Sequence, residues 1–149
     1  MIESLVKEVV FDRIKVSQIA GTADAITSDA VDTSGCEGVC FVVTLGTITA
    51  TGTATCKLQQ SSDNDADAYS DIAGSSKANS GDAATNKQLV IEIKNPQKRY
   101  LKLVLTRAVA NVVVDSITAL KFGYKKLPIT DDASVDGTLL LIGPAEGAA

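Results

Sequence analysis

Three aspartates on alternate positions, Asp63, Asp65 and Asp67, follow directly on a run that reads as a β-strand. Carboxylates so spaced in a loop are the oxygen donors that calcium selects. An EF-hand loop requires glycine at its sixth position and a bidentate glutamate at its twelfth. Counted from Asp63, those places hold Ala68 and Gly74, so the pattern fails. Two readings of "KLQQSSDNDADAYSDIAG" stay open: a weak surface calcium site at Asp63, Asp65 and Asp67, or a solvated hairpin tip whose Asp, Asn, Ser and Gly residues favour turns.

The other chemistry-bearing residues are sparse. Cys36, Cys40 and Cys56 make an odd count, and Cys40 and Cys56 lie inside apolar, strand-like runs, as buried free thiols do. The C-x3-C spacing of Cys36 and Cys40, without a fourth cysteine and without any histidine, does not make a zinc site. The absence of histidine also removes Ser-His-Asp and Cys-His catalysis and the usual general base near neutral pH. Paired carboxylates remain conceivable for glycoside chemistry, but the acids cluster in Gly/Ser/Asn-rich segments. The sequence therefore reads as a non-enzyme with no cofactor.

The elements that carry these residues have a period of two, the mark of strands. In "VCFVVTL", Val39, Phe41, Val43 and Leu45 share one face while Cys40 and Val42 make the other apolar as well, which predicts a central strand covered on both sides. Ala54, Cys56 and Leu58 alternate with Thr53, Thr55, Lys57 and Gln59 as in a half-exposed strand, and Gly46 and Gly52 suit a hairpin between the two. Leu89, Ile91 and Ile93 form one further face, and Leu101, Leu103 and Leu105 another, with Asn95 and Pro96 turning between them. Ile26 and Val31 point inward from an earlier strand that ends in a turn at Ser34 and Gly35. "VVVDSITALKFGY" is long enough for one bent strand or two, with Gly123 as a bulge or close-packing point. About seven or eight strands separated by turn residues predict an all-β, single-domain β-sandwich, of jelly-roll or related Greek-key type.

Composition sets the scale. The chain has 149 residues, enough for one domain that buries about two thirds of its unfolded surface. Its hydrophobic fraction of 45% contains three Phe, three Tyr and no Trp, so the core must be thin and aliphatic. A net charge of -4 offers no attraction to phosphate backbones or anionic lipid, so nucleic acid is not an expected partner. The apolar runs are under ten residues against the roughly 20 that a membrane helix needs, so no membrane partner is expected either. "MIESLVKEVVFDRIKV" carries charges throughout and does not read as a secretory signal; folding in a cytoplasm is the expectation.

The ends depart from the strand pattern. Residues 1–8 read as an N-terminal arm in which Ile2, Leu5 and Val6 take helical spacing, although β-branched residues also allow a strand, which is expected from about residue 8. The body is expected over 9–128 and a C-terminal tail over 129–149. In that tail Leu139, Leu140, Leu141 and Ile142 make one apolar run, either the last strand of the body or a segment that docks on a neighbouring subunit.

"AVDTSGCEGVCFVVTLGTITATGTATCKLQQSSDNDADAYSDIAG", "NPQKRYLKLVLTR" and "VVVDSITALKFGYKKLP" together resemble a family of small phage and prophage virion proteins encoded near the major capsid gene, over roughly residues 24 to 128. The shared elements are patterns of fold, and no catalytic residues come with them. The resemblance implies a β-sandwich component of the phage head, a decoration or cement protein made in the bacterial host cytoplasm. Its implied partners are the major capsid protein and further copies of itself, commonly as a trimer. A head-tail connector or tail-tube protein is the alternative, and a carbohydrate-binding module a second. Only Tyr69 among the aromatics sits in an evident loop where a glycan could stack.

Overall fold

The computed structural model describes residues 3–65, 68–143 and 145–147. Ile2 of the expected arm and Asp67 of the aspartate loop lie outside the described residues.

A single helical turn, α1 (Leu5–Glu8), opens the described chain, and strand β1 (Val10–Lys15) follows it. The Glu8 carboxylate turns back to accept the backbone N–H groups of Glu3 and Ser4, both at 2.8 Å, which satisfies donors that a helix start leaves without partners. Both earlier readings of this segment hold in part: the helical spacing serves one turn, and the β-branched run from Val9 onward serves a strand.

Strand β2 (Gln18–Gly21) continues along the same neighbour as β1, and β3 (Ala25–Thr27) and β4 (Val31–Asp32) likewise share one neighbour. Ile26 and Val31 are both buried, but on two strands rather than the one expected, since positions five apart on a single strand would face opposite ways. The long strands are β5 (Gly38–Ile48), β6 (Thr53–Ser61), β9 (Gln88–Lys94), β10 (Tyr100–Ala108) and β11 (Val112–Phe122). Between β6 and β9 come the short β7 (Ser70–Asp71) and β8 (Lys77–Ala78) and a 3-10 turn, Gly81–Ala84.

Among the described residues the strands sort into two antiparallel sheets, β1-β11-β5-β9 with β2 also on β11, and β3-β10-β6-β7 with β4 also on β10 and β8 also on β6. The all-β sandwich expected from the period-two pattern is the architecture observed. Its pairing is nested: β1 and β2 meet β11, β3 and β4 meet β10, β5 meets β9, and β6 meets β7 and β8. Early strands thus pair with late ones, and the middle of the chain closes on itself.

The inward faces meet in one aliphatic core. Val39, Phe41, Val43 and Leu45 of β5 oppose Cys56 and Leu58 of β6 and Leu101, Leu103 and Leu105 of β10. Phe41, fully buried, is the single aromatic in this cluster, in keeping with a thin core. Strand β5 is central within its sheet, between β11 and β9, but is not covered on both sides. Cys40 and Val42 stay half-buried because lateral neighbours such as Leu120 and Thr118, rather than another layer, shield them.

One further expectation is corrected, and the open alternatives are decided. Gly46 and Gly52 do not build a hairpin, since β5 and β6 belong to different sheets. Gly46 lies within β5, where an added Cβ would come within 2.9 Å of both Val113 and Asp115, so it is a close-packing glycine. Thr51, with φ 69, takes the left-handed conformation in the crossing. "VVVDSITALKFGY" is one strand, irregular between Val112 and Ser116, and Gly123 (φ +71) packs against Glu37 just past its end. Residues 139–142 are not a last strand of the body: no strand follows Phe122 among the described residues, and Leu139 (76%), Leu140 (39%), Leu141 (62%) and Ile142 (87%) all face solvent. No helix among the described residues is long and apolar enough to cross a membrane.

Candidate functional site

The aspartate segment joins β6 to β7 as the loop of a hairpin, with Gln59 opposite Asp71 and Gln60 opposite Ser70. Asp63 and Asp65 are exposed. Ser61 Oγ accepts the Asp63 backbone N–H at 3.2 Å, and Tyr69 donates its hydroxyl to Asn64 Oδ1 at 2.9 Å. Asp71 fastens the return strand by accepting from Lys57 Nζ and Gln59 Nε2, both at 2.8 Å, and the Lys57 bond is the main influence holding its carboxyl below the usual range. Among the described residues no three His, Cys, Asp or Glu side chains converge as a metal site would require. Lys102 Nζ sits 4.1 Å from the centre of the Tyr69 ring, so one face of that ring is already occupied.

The thiols are quiet. Burial raises all three above the ordinary thiol value, and Cys56, fully buried in the core, is pushed up to about 12. A nucleophilic cysteine needs the opposite shift. Cys36 donates to the Thr33 carbonyl at 3.2 Å and is half-buried rather than buried.

The strongest polar constellation is structural and was missed in the sequence. Arg107 of β10 is 5% exposed, and its guanidinium reaches the Ile19 and Val112 carbonyls of the opposite sheet as well as both carboxylate oxygens of Asp24. Gly21 leaves the room that the guanidinium fills. "YLKLVLTR" alternates so that Arg107 continues the inward face of Leu101, Leu103 and Leu105, and that register was the available signal. A second bidentate pair, Arg99 with Asp32 at 2.9 and 2.7 Å, fixes the turn after β4.

The two terminal segments meet on one edge of the sandwich. Ile129 donates its N–H to the Lys7 carbonyl at 3.2 Å, and Ser134 Oγ accepts the Arg13 N–H at 2.9 Å. The tail therefore runs parallel to β1 and covers a donor that the edge strand would otherwise expose. Nearby, Asp12 and Lys121 pair at 3.4 Å; desolvation is the main cause that raises the Asp12 carboxyl, and Asp132 adds to it. Val135 donates its N–H to Asp132 O at 3.0 Å, and Thr138 Oγ1 donates back to Asp131 at 3.3 Å. The apolar residues 139–142 come next. Of the expected arm residues, Leu5 is 58% exposed and Val6 half-buried.

The opposite edge of the same sheet is β9. Beside it, where β7 and β8 leave the core incompletely closed, lies a groove of about 430 Å³ lined by Leu58, Ile72, Ile91 and Ile93, with Val90 and Lys77 on its rim. Ile72, Ile91 and Ile93 pack against the core while remaining partly open to solvent.

The chain matches no protein-family model, and a search of curated proteins finds no similar sequence.

Proposed function

We propose that the protein is a non-enzymatic structural component of a bacteriophage virion, a decoration or cement protein that binds the outer head lattice and stabilises it. The observation that carries this reading is a nested β-sandwich joined to an exposed apolar run, residues 139–142, which enters no strand of the body. With each broken edge strand counted once, the sheets run (β1/β2)-β11-β5-β9 and (β3/β4)-β10-β6-(β7/β8). We read this as a jelly roll, an architecture used in viral capsid and lectin domains.

The physics of attachment favours such a molecule. An extended segment can add to an exposed strand of a partner through main-chain hydrogen bonds, with alternate side chains filling pockets. A shell repeats its sites, so modest contacts per copy give firm coverage. The major capsid protein is the partner this requires, with further copies of the chain beside it. Glycan binding has less support, because Lys102 occupies one face of Tyr69.

The test is co-sedimentation with phage heads that lack the protein, using the full chain and a form ending at residue 136. The full chain should pellet with heads, and the shortened form should pellet much less. Equal pelleting of both would remove the arm from the mechanism, and no pelleting of the full chain would remove the virion role.

A further inference from the structure

We propose that residues 139–142 of one copy add as a strand to the free edge of β9 in a second copy, placing alternate leucines in the groove between β9 and the β7–β8 segment. This interaction draws on the same arm as the virion role, and light scattering in the absence of heads tests it by itself.

The acceptor is an edge left open. Strand β9 pairs with β5 in unbroken register from Gln88 to Lys94, without bulge or proline, and the sheet ends there among the described residues. Edge strands are usually blunted, and β1, at the other edge, is covered by the tail. The charged residues at β9 are Lys87 and Lys94 near its two ends and Glu92 between them, while Val90 stands 55% exposed. A strand added here would put two of its side chains over Ile72, Ile91 and Ile93 and close the core at its open flank.

The donor fits this edge in pattern and charge. Thr138, Leu139, Leu140, Leu141 and Ile142 carry no charge, and alternate side chains of an extended run face opposite ways. After Lys126 the chain contains Asp131, Asp132, Asp136 and Glu146 and no basic residue. That acidic arm complements an edge bracketed by Lys87 and Lys94 with Lys77 on the groove rim; Glu92 is the acid it must pass.

Reach selects a second copy over the same one. The arm is rooted at β1 through Ser134, and β1 and β9 are opposite edges of one sheet. To lie beside its own β9 the arm would cross four strand spacings, about 19 Å, before turning to run along the strand. The five residues from Ser134 to Leu139 span at most about 18 Å fully extended. A donor on one edge and an acceptor on the other make a head-to-tail contact, which closes into a ring of copies or propagates.

The experiment is light scattering on the full chain and on a Leu139→Asp/Leu141→Asp variant, followed by binding of a synthetic peptide of residues 136–146 to that variant. Both substituted side chains are exposed, so the single body should still fold, as a cooperative thermal transition will record, with a midpoint that no longer depends on concentration. The full chain should have the mass of several copies and the variant that of one. The peptide should bind the variant one to one, about tenfold or more weaker once Ile93→Asp is added, with Lys77→Glu as a second groove change outside the core. A full chain of single-copy mass at every concentration, a variant that keeps the assembled mass, or a peptide that does not bind would each overturn the proposal. Head co-sedimentation of the same variant reports separately on the virion role.

Discussion

Arg107 and Asp24 close one end of the sandwich: the guanidinium is 5% exposed, and Asp24, half-exposed, grips it with both oxygens. The remaining guanidinium bonds go to carbonyls of the other sheet, so a single side chain joins β10 to β2 and β11. Removing Asp24 leaves a buried cation short of its counter-ion. Asp24→Ala should cost about 2 kcal/mol, below the 3–5 typical of fully buried pairs because Asp24 itself is wet. Urea unfolding followed by circular dichroism measures this, and an unchanged midpoint would contradict the clasp.

Acid should weaken the fold. Hydrogen bonds from Arg107 and Arg99 hold the Asp24 and Asp32 carboxyls below their ordinary range, so the folded state binds fewer protons there than the unfolded state. Their contribution is present above the unfolded value near 3.9 and lost as pH falls through the folded values. Asp12, raised chiefly by desolvation, acts with the opposite sign. Asp32→Asn should be less stable than the parent at neutral pH, and the gap should narrow below about pH 4. Thermal midpoints across pH 2 to 7 test this; a constant gap would show that the pair is not coupled to folding.

Gly46 should not accept a side chain. An alanine Cβ would approach Val113 and Asp115 at 2.9 Å within β5, in a closely packed part of the sheet. Gly46→Ala should cost about 1–3 kcal/mol by overpacking. A turn glycine in open space would tolerate the same change, so the size of the loss separates the two roles.

The thiols should differ by burial. Cys56 is fully enclosed, whereas Cys36 and Cys40 are half-buried. A thiol reagent under native conditions should modify Cys36 and Cys40 slowly and Cys56 only in denaturant, as peptide mass mapping will record. Native labelling of Cys56 would mean that the core opens.

Ending the chain at residue 136 should leave the body folded, since residues 139–142 are exposed and enter no strand of their own copy, and should lower the thermal midpoint only by what association between copies adds. Ending it at residue 128 should lower solubility, because the Ser134 contact to Arg13 is lost and the β1 edge is bared. Equal behaviour of the two shortened forms would show that the tail does not protect that edge.

These cases mark what was legible in the sequence. Alternation displayed the inward faces of β5, β6, β9 and β10, because one side chain in two must be apolar wherever a strand half-covers a core. Partnership was not legible: nothing near Gly46 announces that its neighbour is Val113, or that β5 and β6 separate into different sheets. Arg107 could be placed inward by register, but its counter-ion lies 83 residues away. The arm was visible as an apolar run, while its acceptor was not, since the groove arises only where β9 and the β7–β8 segment fail to close over Ile72, Ile91 and Ile93. Local pattern fixes faces, and long-range closure fixes edges.

The most direct measurement is the copy number on heads saturated with the protein, read by quantitative gel densitometry against the major capsid protein, with shell heat resistance recorded in parallel. A lattice-decorating cement protein should saturate at on the order of hundreds of copies per shell and raise the temperature at which the shell opens. Saturation at a dozen copies or fewer would contradict decoration and place the protein at a vertex or tail joint.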